Sequence, residues 1–413
     1  MRHGPIRTPA AGILALTLTL TAAPAVAGAS TASAATAGTV ARLAFAQPAS
    51  LAGDRPGQIL KSHRVTIEAV GFTVPYQAWQ IQYVSESTTG ALQADIATVV
   101  KPATPGLPPR LLSYQPAIDS DSATCQPSYV LTQPPSVDGF ESLGGLESFA
   151  AMATSTALGY TVVIPNFEGP HNEWTAGIEA GRGTLDGIRA AENFTPLGLK
   201  GAQTPVGLMG YSGGSQASEF AAEEAPAYAP ELNIVGAAIG GLPVNIAHIA
   251  AKADGGLFSG IYFAAAVGIA RAYPQIDIGS LLNAAGQQMK KAIGGMCIVQ
   301  FAATYAFQRI ERYTKGGLNP LDDPVVQQVV ADDAMGAVGV PRIPMQIYMA
   351  TFDELVVTPD VTTLVHQYCA GGARIQYVQY PIADHVTAAA EGLPAAIAYI
   401  EARFNGQPAP STC

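Results

Sequence analysis

The chain has 413 residues, 48% of them hydrophobic and 13% charged, and carries a formal net charge of −10. That balance excludes a disordered chain and fits one large domain with an insertion, or two domains. With 31 acidic residues against 21 basic ones, the surface is a poor binder of polyanions. Nucleic acid and charge-driven docking on anionic membrane are therefore excluded as partners, and a neutral substrate is expected.

In chain order the first element is a leader. Arg2 and Arg7 precede the apolar, uncharged run 10–23, and Ala25-Val26-Ala27 supplies small residues at the spacing of an export cleavage site. Ser33-Ala34-Ala35 admits a later cut at 35. The apolar run falls short of the roughly 20 residues that cross a bilayer. Residues 1–27 are thus expected to be a signal peptide, removed from a secreted protein without a stable membrane span. Its loss takes two basic residues and moves the net charge to near −12. Residues 28–60 are expected to form a flexible lead-in, rich in Ala and Ser as far as 39.

Short β-rich runs then alternate with turn signals, at 64–70, 79–85, 92–100 and 110–114. From there strand-like apolar runs alternate with helical stretches, the pattern of a parallel sheet covered by helices. A strand at 161–165 is followed by a helix over 176–192, with Leu185, Ile188 and Ala191 at helical spacing. A strand at 205–210 leads to a helix over 215–224, and a third strand spans 234–239. Between 244 and 341 the alternation stops and the segment reads as helical, including the almost uncharged stretch 256–272. Strands resume at 343–350 and 375–380. The expected organisation is one sheet domain, 61–243 and 342–413, interrupted by a helical cap at 244–341 that sits over the active site.

Cys125, Cys297, Cys369 and Cys413 form an even set in an exported chain, which predicts two disulfides with three connectivities open. Their spacing contains no CxxC pair, so a zinc or redox site is not expected. No metal constellation and no phosphate loop calls for a cofactor.

The strongest local signal is Gly210-Tyr211-Ser212-Gly213-Gly214, a G-x-S-x-G motif directly after a buried strand and before a helix. In an α/β-hydrolase that turn exposes the serine hydroxyl, and the helix N-terminus behind it favours developing negative charge. A serine needs a base, and the base an orienting carboxylate, in the chain order Ser, acid, His. His248, His366 and His385 follow Ser212. His248 starts the expected cap and His366 lies in a helix-like run, whereas His385 lies in a loop past the last strand, ahead of a helix from 387. Asp353 follows the strand 343–350 at the same sheet edge and is preferred over its neighbour Glu354. Asp360 begins the next helix. Asp384 adjoins His385, and adjacent side chains point apart. His171 precedes the serine and is read as a pocket or structural residue. The expected triad is Ser212, Asp353 and His385. The oxyanion hole is expected to use the Gly213 backbone N–H and a donor from the loop 115–120.

Taken together, these residues resemble the secretory lipase family, cap-bearing α/β-hydrolases related to yeast lipase A. The likeness runs through Ser113-Tyr114-Gln115, Asp119-Ser120, Cys125-Gln126-Pro127-Ser128-Tyr129, Glu168-Gly169-Pro170 and the Ser212 motif. It continues through Gly240-Gly241-Leu242-Pro243, Phe352-Asp353-Glu354-Leu355-Val356, Asp384-His385 and Arg403-Phe404-Asn405-Gly406. One departure is Asn166, where the family pattern leads one to expect Asp. The resemblance implies the same triad, pairs Cys125 with Cys297 and Cys369 with Cys413, and assigns Asp119 to the oxyanion hole through its backbone N–H and a protonated side chain. It implies a secreted lipase or carboxylesterase acting on acylglycerols or other fatty-acid esters, some at a lipid–water interface. Competing readings are an acyltransferase on the same triad, a peptidase, and a catalytically inactive binding homologue.

Overall fold

Half-exposed strands at the start of the chain and unbroken apolar runs later on dictate two kinds of pairing within one sheet. β1 (Ile59–Ala69), β2 (Phe72–Glu86) and β3 (Leu92–Lys101) pair antiparallel. β3 then pairs antiparallel with β5 (Thr161–Pro165), which lies beside β4 (Leu111–Gln115) in parallel. β6 (Val206–Tyr211), β7 (Ile234–Gly240), β8 (Met345–Ala350) and β9 (Ile375–Tyr380) extend the parallel part, giving a nine-stranded sheet in the order β1-β2-β3-β5-β4-β6-β7-β8-β9. The computed structural model describes residues 45–69, 72–105, 108–132 and 143–413. The expected leader, its later cut at 35 and the lead-in up to residue 44 lie outside the described residues.

Every residue of β4, β5, β6 and β8 is buried, so helices must cover both faces. α1 (Pro127–Val130) and α2 (Leu143–Ala157) follow β4, α3 (Gly177–Asn193) follows β5 and α4 (Gly213–Tyr228) follows β6. Between β7 and β8 come α5 (Ile246–Ala253), α6 (Ser259–Ala272), α7 (Ile278–Leu281), α8 (Ala284–Ile293), α9 (Ile298–Thr304) and α10 (Pro324–Asp332). α11 (Thr358–Ala370) joins β8 to β9, and α12 (His385–Phe404) follows β9. One face of the sheet buries Leu185 and Ile188 of α3, Phe220 of α4 and Tyr368 of α11. The other buries Met152 of α2 and Tyr399, Ile400 and Phe404 of α12. This is the α/β-hydrolase arrangement.

The segment between β7 and β8 has a core of its own, built on Phe263, Phe301, Tyr305 and Tyr313, with Phe263 and Tyr313 ring centroids 5.3 Å apart. Trp174, from the loop after β5, joins that core and stacks on Phe301 at 5.7 Å. The apolar stretch 256–272 becomes the 14-residue α6, starting at Ser259. Among the described residues, no helix is long and apolar enough to cross a membrane.

Two disulfides are present, Cys125–Cys297 and Cys369–Cys413, with Cα atoms 5.7 and 5.4 Å apart. The first ties the loop after β4 to the N-terminus of α9. The second fixes the chain end against α11, where Thr412 N donates to Ile375 O at 2.8 Å and Tyr377 N to Thr412 Oγ1 at 3.0 Å, along the edge strand β9. Residues 45–60 differ from a free lead-in. Gln47 Nε2 donates to Ala94 O at 2.7 Å, Gln82 Nε2 to Ala46 O at 3.1 Å, and β1 begins at Ile59. Asn166 holds the backbone N–H and the hydroxyl of Ser128: its Oδ1 accepts from Ser128 N at 3.1 Å and its Nδ2 donates to Ser128 Oγ at 2.7 Å. An ionised carboxylate there could accept but not donate.

Candidate active site

Strand order reverses at β4/β6, since β5 lies to one side of β4 while the chain proceeds outward from β6 on the other. Crevices at the carboxyl ends of parallel strands open at such a point. β4 delivers Asp119 there, β6 delivers Ser212, β8 delivers Asp353 and β9 delivers His385.

Ser212 sits between β6 and α4 with φ 51° and ψ −126°, a conformation that non-glycine residues rarely hold. Its N–H donates to Gly240 O at 2.9 Å, anchoring the turn to β7. The flanking glycines are steric necessities. A Cβ on Gly210 would lie 2.3 Å from Gly214 O, and one on Gly214 would lie 1.9 Å from Gln115 O. α4 starts at Gly213, so the positive end of its dipole lies behind the serine.

His385 is the first residue of α12 rather than a loop residue, two positions ahead of the expected helix start. Asp384 caps that helix, accepting from Thr387 N and Thr387 Oγ1, both at 2.7 Å. This capping box gives Asp384 a structural task away from the imidazole. The His385 backbone is held on both sides: its N–H donates to Glu354 Oε2 at 2.8 Å and its carbonyl accepts from Tyr211 Oη at 2.5 Å. Its Nε2 lies 2.9 Å from Ser212 Oγ and its Nδ1 lies 2.7 Å from Asp353 Oδ2. Asp353 is fully buried at its side chain, and its Oδ1 accepts from Leu355 N at 2.9 Å and Val356 N at 2.8 Å. Lys252 of α5 donates from Nζ to Asp353 O at 2.7 Å and Val356 O at 3.0 Å, so the helical insertion holds the turn carrying that carboxylate.

Asp119 also has a left-handed backbone, with φ 47°. Its carboxyl lies over Gly213, where a Cβ would come within 1.7 Å of Asp119 Oδ1, and Trp174 Nε1 donates to that oxygen at 3.0 Å. Burial pushes the Asp119 carboxyl up to about 6, against the opposing pull of His385 and of the Trp174 and Gly213 N–H groups. A cavity of about 80 Å³ opens from Ser212 and Asp119, walled by Trp174, Ile249, Tyr262, Ala265 and Leu355. Much of that wall comes from α5 and α6.

The remaining candidates lie elsewhere. His248 is exposed and pairs with Asp360 Oδ2 at 2.9 Å. His366 is exposed on α11, and His171 is exposed with its carbonyl accepting from Arg271 Nη1 at 2.8 Å. Trp174, Lys252 and Tyr211 are the site residues that sequence reasoning missed as functional. Trp174 carried one weak signal, being one of only two tryptophans and lying in the loop after a buried strand.

Residues 146–412 match the Secretory lipase family. Lipase A of Moesziomyces aphidis is 35% identical over 375 residues, covering 88% of this chain and 79% of that protein. A protein of Mycobacterium tuberculosis named a probable inactive lipase is 34% identical over 364 residues, covering 86% and 79%. The crystal structure of Candida antarctica lipase A in its closed state superposes with a TM-score of 0.82 at 32% identity, covering 89% of this chain and 88% of that one. With this fold and these relatives, the chain belongs to the secretory lipase family and is an ester hydrolase of the lipase/esterase class.

Proposed function

We propose that the protein is a secreted serine lipase or carboxylesterase that cleaves acylglycerols or other fatty-acid esters through an acyl-enzyme on Ser212. The observation that carries this reading is the hydrogen-bonded relay Ser212 Oγ–His385 Nε2–Nδ1–Asp353, at 2.9 and 2.7 Å, on the carboxyl edge of the sheet. Ser212 Oγ attacks the ester carbonyl while His385 Nε2 takes its proton. Asp353 fixes the imidazole with its proton on Nδ1 and stabilises the imidazolium. His385 then returns the proton to the leaving alcohol, and water repeats the sequence on the acyl-enzyme. The tetrahedral oxyanion receives hydrogen bonds from Gly213 N–H and from Asp119. With Oδ1 already accepting from Trp174, a proton on Oδ2 makes the Asp119 side chain a donor.

The insertion between β7 and β8 acts as the cap. α5 and α6 supply apolar walls to the cavity at Ser212, and Lys252 couples α5 to the turn of the acid. Export is supported by the leader at 1–27 and by both disulfides, which persist in oxidising surroundings.

The test is hydrolysis of p-nitrophenyl esters of graded chain length, tributyrin and triolein by wild type and Ser212→Ala. The expected result is cleavage by wild type and a loss of at least about 10⁴-fold in kcat for the variant, with its circular dichroism unchanged. The relative named as inactive makes the opposite outcome informative. A folded wild type that cleaves no ester and resists a fluorophosphonate would place this chain among binding homologues.

A further inference from the structure

The loop between β4 and α1 carries Asp119 and is tied down on both sides of it. Downstream, Ser120 N donates to Glu168 Oε1 at 3.4 Å, Ser120 Oγ donates to Met296 O at 2.9 Å, and Cys125 is bonded to Cys297. Upstream, the hold comes from Glu147, near the start of α2. Its Oε2 accepts from Ala117 N at 3.0 Å and its Oε1 accepts from Tyr114 Oη at 2.5 Å. Tyr114 is a buried residue of β4. The sheet thus grips one oxygen of the carboxyl group, while the other grips the loop two residues before Asp119.

We propose that Glu147 is a positioning residue for ester cleavage: by fixing Ala117 it sets where the Asp119 side chain presents its proton to the tetrahedral oxyanion. The inference rests on the reading above, with Asp119 in the oxyanion hole, and adds a residue that acts through it. Three observations favour it. Asp119 has φ 47°, a conformation that persists only where the chain on either side is held. Glu147 supplies that hold on the upstream side, as the bridge and Glu168 do downstream. Second, Glu147 is an acid without a cation. Among the described residues no lysine or arginine forms an ion pair with it. Burial pushes its carboxyl up to about 7, against the pull of the Tyr114 and Ala117 hydrogen bonds, and Asp119 and His385 act on it through space. An unpaired carboxylate is a costly filler between α2 and β4, where the neighbouring contacts, such as Met152 on Leu112, are apolar. Third, each oxygen has its own donor, so the carboxyl plane cannot turn without breaking a bond. The competing role is a structural one, the docking of α2 on β4.

The two roles separate in kcat and KM for p-nitrophenyl butyrate, measured on variants shown to be folded by circular dichroism. Glu147→Ala removes the acceptor, and Glu147→Leu removes it while keeping the volume, so one of the two serves if the other fails to fold. Either should lower kcat about 10- to 100-fold, the cost of a misplaced group, with KM changed by less than about twofold. Glu147→Gln should recover most of kcat, because its carbonyl oxygen still accepts from Ala117 N and its amide donates to Tyr114 Oη. In an Asp119→Ala background, adding Glu147→Ala should change kcat by less than about twofold, since the donor it positions is already gone. A structural role predicts instead that the thermal midpoint falls equally in both backgrounds while kcat of the folded enzyme stays at the wild-type value. That result, a glutamine variant as slow as the alanine one, or fully additive losses in the double variant would each overturn the inference and leave the ester-hydrolase reading intact. Wild-type kcat in Asp119→Ala would remove Asp119 from the mechanism and Glu147 with it. A wild type that cleaves no ester would remove the ester-hydrolase reading itself.

Discussion

Asp119 and Ser212 are non-glycine residues held at positive φ, and both face the same cavity. Such conformations cost of order 1–3 kcal/mol each and persist only where the surroundings enforce them. Around Asp119 the enforcing contacts are the Trp174 N–H and the close approach to Gly213. If Asp119 donates to the oxyanion, Asp119→Ala should lower kcat about 10²–10³-fold, the usual cost of one such donor. Asp119→Asn, whose amide keeps an N–H at the same place, should retain most of the rate on a p-nitrophenyl ester. Equal kcat for Asp119→Ala and wild type would remove the side chain from the mechanism. Gly214→Ala makes a purely steric prediction. Its Cβ would meet the Gln115 carbonyl, backbone that no rotamer change can relieve. A loss of about 3 kcal/mol in denaturant unfolding is expected.

At the scale of elements, the unit β6–Ser212–α4 was legible because every determinant is local: an apolar run, three glycines and a helix start. The same holds for the strand endings that carry Asp353 and His385. α12 starts two residues ahead of the expected position because Asp384 is its N-cap, bonded to Thr387 at N3, which makes His385 the first helical residue. Residues 45–60 read as a free lead-in in sequence because their partners, Ala94 and Gln82, lie tens of residues away. Trp174 and Lys252 were silent for the same reason. The choice of Asp119 within the loop 115–120 and the disulfide pairing came from family resemblance rather than from spacing. That loop is joined to α9 by Cys125–Cys297, which closes 172 residues, and again by Ser120 Oγ donating to Met296 O at 2.9 Å. Replacing both cysteines by serine should cost about 2–5 kcal/mol. Fluorophosphonate labelling of Ser212 should slow as well, because Asp119 lies six residues from the bridge. A variant that loses stability but labels at the wild-type rate would show that the bridge is confined to folding.

At the scale of the molecule, buried carboxyl groups are numerous among the described residues, and burial raises them far more often than cations lower them. Asp186 is pushed up to about 6, Asp121 and Asp333 to about 7, and Glu192 and Glu224 to about 8, in each case chiefly by burial. In the unfolded chain these groups titrate near 4. Between about pH 4 and pH 8 the folded protein therefore binds more protons than the unfolded one, and its stability falls as pH rises. Thermal unfolding midpoints should be higher at pH 5 than at pH 8. A midpoint that climbs steadily over that interval would contradict this account.

The chain end has a consequence for how molecules meet one another. β9 is the outermost strand on its side of the sheet, and its residues are only partly covered. Thr412 occupies hydrogen-bonding groups of Ile375 and Tyr377 that would otherwise face a neighbouring molecule. Trimming residues 409–413, with Cys369→Ser to remove the thiol left unpaired, would bare a row of unpaired amides suited to strand-by-strand addition of a second copy. Light scattering of concentrated trimmed protein should then rise below its unfolding temperature, while the full chain stays dispersed. Residues 409–413 would thus act as a guard on the free edge of β9.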